Sequence, residues 1–402
     1  MSEPTGCPRD GAADRRATSP APSFRCQSRD GLGTISRRER TKGSRQEAGG
    51  SRQEAGGSGQ KAVGRTRWEA GAPGTTHQAP ATRHSALATG HFMIATVTLN
   101  PAIDKSLSVP CFQVGKTNRG ELGRIDASGK GINVAMALKQ FGVEVCALGF
   151  MAGNYGQVIL EALGARGIPA DFTPVPGETR VNLKIHDRVL ETETEINEPG
   201  FQVLPDHLAA VRVKIREHAA RCELMVFSGS LPPGAPPETY AQLITIAGSE
   251  GAKCILDTAG PALRCGLGAK PFLIKPNVAE VEGLLEVPAR SRLELGAAAR
   301  KLLEMGAREV VISMGADGAI AATEHHLLAA LPPAVSMRSS TGAGDAMVAA
   351  MAFGEVTHLS FRDSFRLAMA ASAAAVSIEG TQAADPATVR RLLPQVQVEE
   401  IL

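Results

Sequence analysis

Apolar residues follow two regimes along this chain. Through residues 1–92 no periodic apolar pattern develops; Gly, Ser, Arg, Gln and Ala dominate, and a seven-residue unit at 44–50 recurs at once at 51–57. Such a segment buries too little apolar surface to offset its chain entropy and is expected to be disordered. From residue 93 the pattern changes. Short β-rich runs appear at 94–99, 145–150, 224–228, 254–257, 272–275 and 310–313, the first ending at the turn signal Asn100-Pro101. Between them, Ala- and Leu-rich stretches with helical spacing occupy 132–140, 157–166, 208–219, 238–247 and 295–305, and a long Ala-rich helix starts at 346. The alternation predicts an α/β fold with a mostly parallel sheet flanked by helices on both faces. In such sheets ligands bind beyond the carboxyl ends of the strands. Residues of about 104–126 and 171–200 break the rhythm, with strand-like, alternately polar patterns and no helix. They are expected to form a small β-sheet packed as a lid, a device that keeps water from a reacting group.

Composition narrows the class. The 402 residues are 43% hydrophobic and 21% charged, ordinary for a globular protein, but only 4% aromatic, so the core must be aliphatic. No stretch approaches the roughly 18 uninterrupted apolar residues that a membrane span needs. The longest apolar run, 367–378, is interrupted by Ser372 and Ser377 and reads as a buried helix. The seven cysteines are scattered, without metal-ligand or redox spacing, which favours free thiols in a reducing cytoplasm. The histidines do not cluster beyond His325-His326, which suits a strand or turn edge.

Net charge divides the chain as hydropathy does. Residues 1–92 carry 15 Lys and Arg against 8 Asp and Glu, and residues 93–402 carry 28 against 33. The extension is open to three readings: a basic arm for acidic surfaces or nucleic acid, a targeting peptide, or a neutral extension before a folded chain starting at Met93. The third is adopted, because ordered patterning starts abruptly there. The domain expectation is therefore 1–92 as an extension that need not be native and 93–402 as one folded unit, with nucleic-acid binding not expected.

Several short motifs carry candidate chemistry. Gly342-Ala343-Gly344-Asp345, after Ser339-Ser340-Thr341, opens the Ala-rich helix. Glycines there let backbone N–H groups point at an anion, and the helix dipole assists. Asp345 in that turn repels phosphate but suits a general base taking a proton from a nearby hydroxyl; an ordinary glycine-rich turn reads equally well. Lys275-Pro276-Asn277-Val278-Ala279-Glu280 puts Asn277 and Glu280 one helical turn apart, able to present oxygens to a hard cation or simply to cap a helix. Ser313-Met314-Gly315-Ala316-Asp317-Gly318 follows a strand and permits close backbone approach to a nucleotide, or is a β-turn. Ser128-Gly129-Lys130-Gly131-Ile132-Asn133 opens a helix but fails the dinucleotide spacing, with Val134 in the third glycine position. Asn100-Pro101-Ala102-Ile103-Asp104 supplies a carboxylate that could accept from hydroxyls or cap a turn. Along Thr179-Arg180-Val181-Asn182-Leu183-Lys184, Arg180, Asn182 and Lys184 share one strand face, which makes a phosphate seat or a solvated edge.

In this order, and together with Ser228-Gly229-Ser230-Leu231-Pro232, these motifs resemble the ribokinase-like PfkB carbohydrate kinases across residues 93–402. The resemblance implies Asp345 as catalytic base and the amides of Ala343, Gly344 and Asp345, held by Gly342, as anion hole. Lys275, Asn277, Glu280, Ser313, Gly315, Gly318 and Gly344 then hold ATP, with Asn277 and Glu280 also serving Mg2+, and Gly380-Thr381 borders the adenine. Asp104, Gly129, Lys130, Gly131 and Asn133 face the sugar, while Arg119, Arg180 and Lys184 bind a phosphate it already carries. Ser128 and Ser340 depart mildly from the family pattern. The implied reaction is ATP-dependent phosphorylation of D-fructose 1-phosphate to the 1,6-bisphosphate. Tagatose 6-phosphate and fructose 6-phosphate are the alternative acceptors, and a non-catalytic, sugar-phosphate-responsive regulator is the alternative of another class. A homodimer through the lid is the expected assembly.

Overall fold

The computed structural model of the protein describes residues 94–401, apart from residues 290, 340, 379, 381 and 382. The N-terminal extension, Met93, Ser340 and Thr381 lie outside the described residues. Ten strands form the large sheet, in the spatial order β14 (Val398–Glu400), β13 (Leu327–Ala330), β12 (Ala319–Ala322), β11 (Glu309–Ser313), β10 (Leu273–Ile274), β9 (Lys253–Asp257), β8 (Leu224–Ser228), β1 (Ile94–Thr98), β4 (Val145–Met151) and β5 (Ala170–Pro174). From β11 through β5 every neighbouring pair is parallel. Strands β12, β13 and β14 close the other edge antiparallel.

The reason for the parallel centre lies in the sequence. Strands β1, β4 and β8 are buried at every position, as a strand covered on both faces must be. Helical crossovers supply the cover: α1 (Lys130–Gln140), α2 (Gly153–Gly164), α3 (Pro205–Ala219), α4 (Thr239–Ser249), α5 (Gly260–Leu267), α6 (Val278–Leu285), α7 (Arg292–Glu304), α8 (Ala343–Val356), α9 (Phe361–Val376) and α10 (Pro386–Leu392). The scarcity of aromatics is met by small residues. Helices α8 and α9 pack against each other, and Ala349, Ala350, Ala352, Ala368, Ala370 and Ala371 are all buried within them. The 367–378 run forms most of α9, and His325-His326 sit in the turn between β12 and β13.

A second sheet of four strands has the order β3 (Glu121–Ser128), β2 (Ala102–Ser108), β6 (Arg180–Asp187) and β7 (Thr192–Asn197). Its second pair of strands starts later in the chain than the sequence pattern suggested, at Arg180. Ala170–Pro174, expected within the lid, is the β5 edge strand of the large sheet, pairing parallel with β4. Its alternately polar pattern is that of an edge with one wet face, which the sequence does not distinguish from a lid strand.

The two faces of the small sheet differ chemically. Asp126, Asp104, Asn182 and Asn197 lie in one row across the four strands, and Arg124, Ser106, Lys184 and Glu195 in the next row on that face. The intervening rows read Ile125, Lys105, Leu183, Ile196 and Leu122, Leu107, Ile185, Thr194. Period-two alternation thus gives a polar face and a mainly apolar face on a single layer.

Candidate active site

A cavity of about 830 Å3 lies between the carboxyl ends of the central strands and the polar face of the small sheet. Asp345 is the third residue of α8, whose N-cap is Gly342. The first intrahelical bond runs from Ala346 N to the Gly342 carbonyl at 2.9 Å, so the amides of Ala343, Gly344 and Asp345 have no partner within the helix. Gly342, Ala343 and Gly344 line the cavity, which turns the positive end of α8 into it.

The Asp345 carboxylate is 7% exposed, and its Oδ2 accepts from Asn133 Nδ2 at 2.7 Å. Burial, and next the neighbouring carboxylate of Asp257, push its pKa up to about 6; Lys130, the Asn133 bond and Lys275 oppose the rise. A carboxyl so placed ionises near neutrality and has a proton affinity suited to base catalysis.

Asn133 and Lys130 both come from the first turn of α1, which follows Gly129, and all three line the cavity. Gly131 does not. A Cβ there would stand 2.5 Å from Thr98 Oγ1 and 2.9 Å from the Val97 carbonyl, so this glycine seats α1 against β1. The close packing explains why a glycine stands there, whatever its backbone offers a sugar. On the lid, Asp104 accepts from Asn182 Nδ2 at 2.9 Å and faces Lys184 Nζ at 3.3 Å. Arg180 Nη1 donates to Asn182 Oδ1 at 2.9 Å. Lys184 Nζ also reaches across to Thr341 Oγ1 at 2.6 Å, tying the small sheet to the loop that opens α8. Arg119 is exposed in the connection between β2 and β3 and is not on the cavity wall of its own subunit. Its expected place beside Arg180 and Lys184 is not reached within one chain.

At the other end of the cavity, Asn277 is the N-cap of α6 and forms a reciprocal capping box with Glu280. Glu280 N donates to Asn277 Oδ1 at 2.8 Å, and Asn277 N to Glu280 Oε2 at 2.9 Å. Both residues line the cavity, together with Ser313, Gly315 and Gly318, and Ser313 N is held by the Pro276 carbonyl at 3.0 Å. Beyond them the wall becomes apolar, with Pro333, Val335, Met347 and Met369. Gly380 is elsewhere: a Cβ there would meet Asp126 Oδ2 at 2.8 Å, so it packs beneath the small sheet and not beside this apolar wall.

One residue that the motif reading passed over occupies the centre. Asp257, at the carboxyl end of β9, is 1% exposed and lines the cavity between Lys130 and Lys275. Burial opposes its charge, but Lys130, Lys275 and the Ser228 hydroxyl outweigh burial and hold its pKa below the ordinary carboxylate value. A lone Asp at a strand end has no spacing signature. The signal available was its position beyond a fully buried strand, where ligands gather in such sheets.

A helix N-terminus beside a buried carboxylate, cationic side chains and an apolar slot suits a phosphotransferase acting on a hydroxyl acceptor. Residues 93–388 match the family described as pfkB family carbohydrate kinase. The chain belongs to this family and is an ATP-dependent carbohydrate kinase. It is 37% identical over 308 residues to a 1-phosphofructokinase of Rhodobacter capsulatus, covering 76% of this chain and 98% of the relative. To the 1-phosphofructokinase of Xanthomonas campestris pv. campestris it is 42% identical over 263 residues, with coverages of 64% and 82%. Among solved structures, phosphofructokinase-2 from Escherichia coli in complex with fructose-6-phosphate superposes with a TM-score of 0.70 at 28% identity, covering 76% of this chain and 99% of that one. The tetrameric inhibited form of the same enzyme gives a TM-score of 0.71 with the same identity and coverages. Among the described residues no helix is long and apolar enough to cross a membrane.

Proposed function

We propose that the protein phosphorylates D-fructose 1-phosphate at its C6 hydroxyl, with ATP as donor, giving D-fructose 1,6-bisphosphate. The relatives named 1-phosphofructokinase support this acceptor. The observation that carries the reading is the shared cavity: Asp345 and the open amides of α8 face the polar side of the small sheet across one space. Asp345, aimed by Asn133, takes the proton of the attacking hydroxyl. The amides of Ala343, Gly344 and Asp345 receive charge that spreads over the transferring phosphoryl oxygens. Lys275, whose ammonium lies within 3.1 Å of where a Cβ of Gly344 would be, adds positive charge beside that loop. Asp104, Gly129, Lys130 and Asn133 orient the sugar, and Arg180 and Lys184 hold its 1-phosphate. The apolar wall at Val335, Met347 and Met369 accepts the adenine, and Ser313, Gly315 and Gly318 lie along the nucleotide.

The donor set fits Mg2+ in a restricted way. Glu280 commits Oε2 to the capping box, while its Oε1 makes no hydrogen bond among the described residues, and a hard cation that keeps most of its waters needs few protein oxygens. Glu280 would hold the ion and Asn277, whose Oδ1 is engaged by the Glu280 amide, would aim it. When bound, the ion neutralises charge on the ATP phosphates. The test is coupled ADP release with fructose 1-phosphate, fructose 6-phosphate and tagatose 6-phosphate. The expected result is the highest kcat/KM for fructose 1-phosphate; a preference for either 6-phosphate reassigns the acceptor.

Two copies are inferred to pair through the apolar face of the small sheet. Leu122, Ile125 and Ile196 are 58%, 50% and 52% exposed there, and they lie in the two adjacent rows containing the partly buried Leu107 and Leu183. A two-faced sheet whose polar side forms a pocket leaves such a patch for self-association. Replacing Ile125 and Ile196 together by lysine is expected to yield monomers in sedimentation velocity. An unchanged oligomer would place the interface elsewhere.

A further inference from the structure

We infer that Asp257 is a positioning residue of the phosphoryl-transfer site, a buried carboxylate that fixes the ammonium groups of Lys130 and Lys275 between the sugar end and the nucleotide end of the cleft. The inference rests on the kinase reading above. Asp257 Oδ1 lies 3.3 Å from Lys130 Nζ and 3.5 Å from Lys275 Nζ, and Oδ2 accepts from Ser228 Oγ at 3.1 Å. Its backbone carbonyl accepts from Gly229 N at 2.9 Å, so the main chain that carries the carboxylate is fixed as well. The two lysines come from distant parts of the chain, one starting α1 and the other following β10.

Two ammonium groups in one partly desolvated space repel and would otherwise deprotonate or turn toward water. A carboxylate between them holds both in place and favours the charged form of Lys130. Each ammonium has three donors, so beside its ion pair with Asp257 it retains donors for a ligand. Lys130, with its side chain 40% exposed, presents them to the sugar, and Lys275, at 6%, to the phosphate loop. Asp257 does not touch the reacting atoms. It sets where the positive charge stands relative to them.

The same carboxylate acts on the base. The charged groups facing Asp345 are Asp257 from the end of β9, Lys130 from α1 and Lys275 from the end of β10, and Asn133 of α1 donates to it. Removing the negative member leaves two cations beside Asp345, so ionisation of the base becomes easier.

Asp257→Asn keeps the side-chain shape. The variant is expected to lose about 100-fold in kcat/KM, two tenfold steps of about 1.4 kcal/mol each. The acid limb of its kcat/KM profile is expected at lower pH than in the wild type. Independently of turnover, Lys130 should react at least about tenfold faster with an amine-directed reagent, as a fall of one pKa unit in the ammonium implies. An acid limb that stays in place, or unchanged Lys130 reactivity in a folded variant, overturns the proposal. So does recovery of wild-type turnover on raising Mg2+, which would make the carboxylate a metal ligand. If the wild type fails to turn over any phosphosugar, the kinase reading falls, while the labelling result still decides whether Asp257 holds the lysine.

Discussion

Asp345→Asn is expected to lower kcat by about 10^3-fold while leaving KM for both substrates within a few-fold of wild type, the pattern of a lost general base. The amide has the carboxylate's size, and its oxygen can still accept from Asn133, so the variant should fold. In the wild type only the ionised carboxylate takes a proton. With its pKa pushed up to about 6, kcat/KM should fall as pH drops through that value, about tenfold per unit below it. The residual activity of the variant should lack this limb. Stability moves the other way. A carboxyl whose folded pKa lies above its unfolded value binds more protons folded than unfolded between about pH 4 and 6, so ionising it costs stability as pH rises through that window. Asp345→Asn should therefore melt higher than the wild type at pH 7, and a variant that melts lower would contradict the buried-charge account. Calorimetry and coupled ADP release on the same preparation check both statements.

Lys184→Met is expected to raise KM for fructose 1-phosphate by about 10- to 100-fold with little change in kcat, the range for losing a hydrogen bond between charged groups. Methionine preserves the apolar stem, and Asp104 keeps its bond from Asn182 at 2.9 Å. The informative comparison is with unphosphorylated fructose at high concentration. If Lys184 holds the 1-phosphate, discrimination between the two sugars should shrink. An equal loss for both would assign Lys184 to the sugar hydroxyls or to the lid contact at Thr341.

The parallel heart of the fold was legible because its strands are buried on both faces and written as short unbroken apolar runs. The 224–228 run coincides with β8, and 310–313 falls within β11. The antiparallel edge was not foreseen. Ala319–Ala322 and Leu327–Ala330 are short and lack the β-branched alternation that marks a strand, so their state is set by docking on β11 rather than by local preference. At the site, motifs in which several residues recur at fixed spacing could be read directly, as around Gly342 to Asp345. Contacts made by one residue with distant partners could not. Asp257 and Lys130 are 127 positions apart, and nothing local in the chain records that they meet. Gly131 shows the converse: its neighbours Gly129, Lys130 and Asn133 line the cavity, but the close approach of β1 is what demands a glycine at 131.

The four-strand sheet is a single peptide layer, and its consequences extend past recognition. Residues 182 and 184 reach the pocket while 183, between them, reaches the opposite side, so neither property can be altered without a response one residue away. If the apolar side is where subunits join, dissociation by dilution should slacken the very strands that grip the sugar phosphate. Specific activity would then depend on enzyme concentration, although the polar wall described above is already formed within one chain.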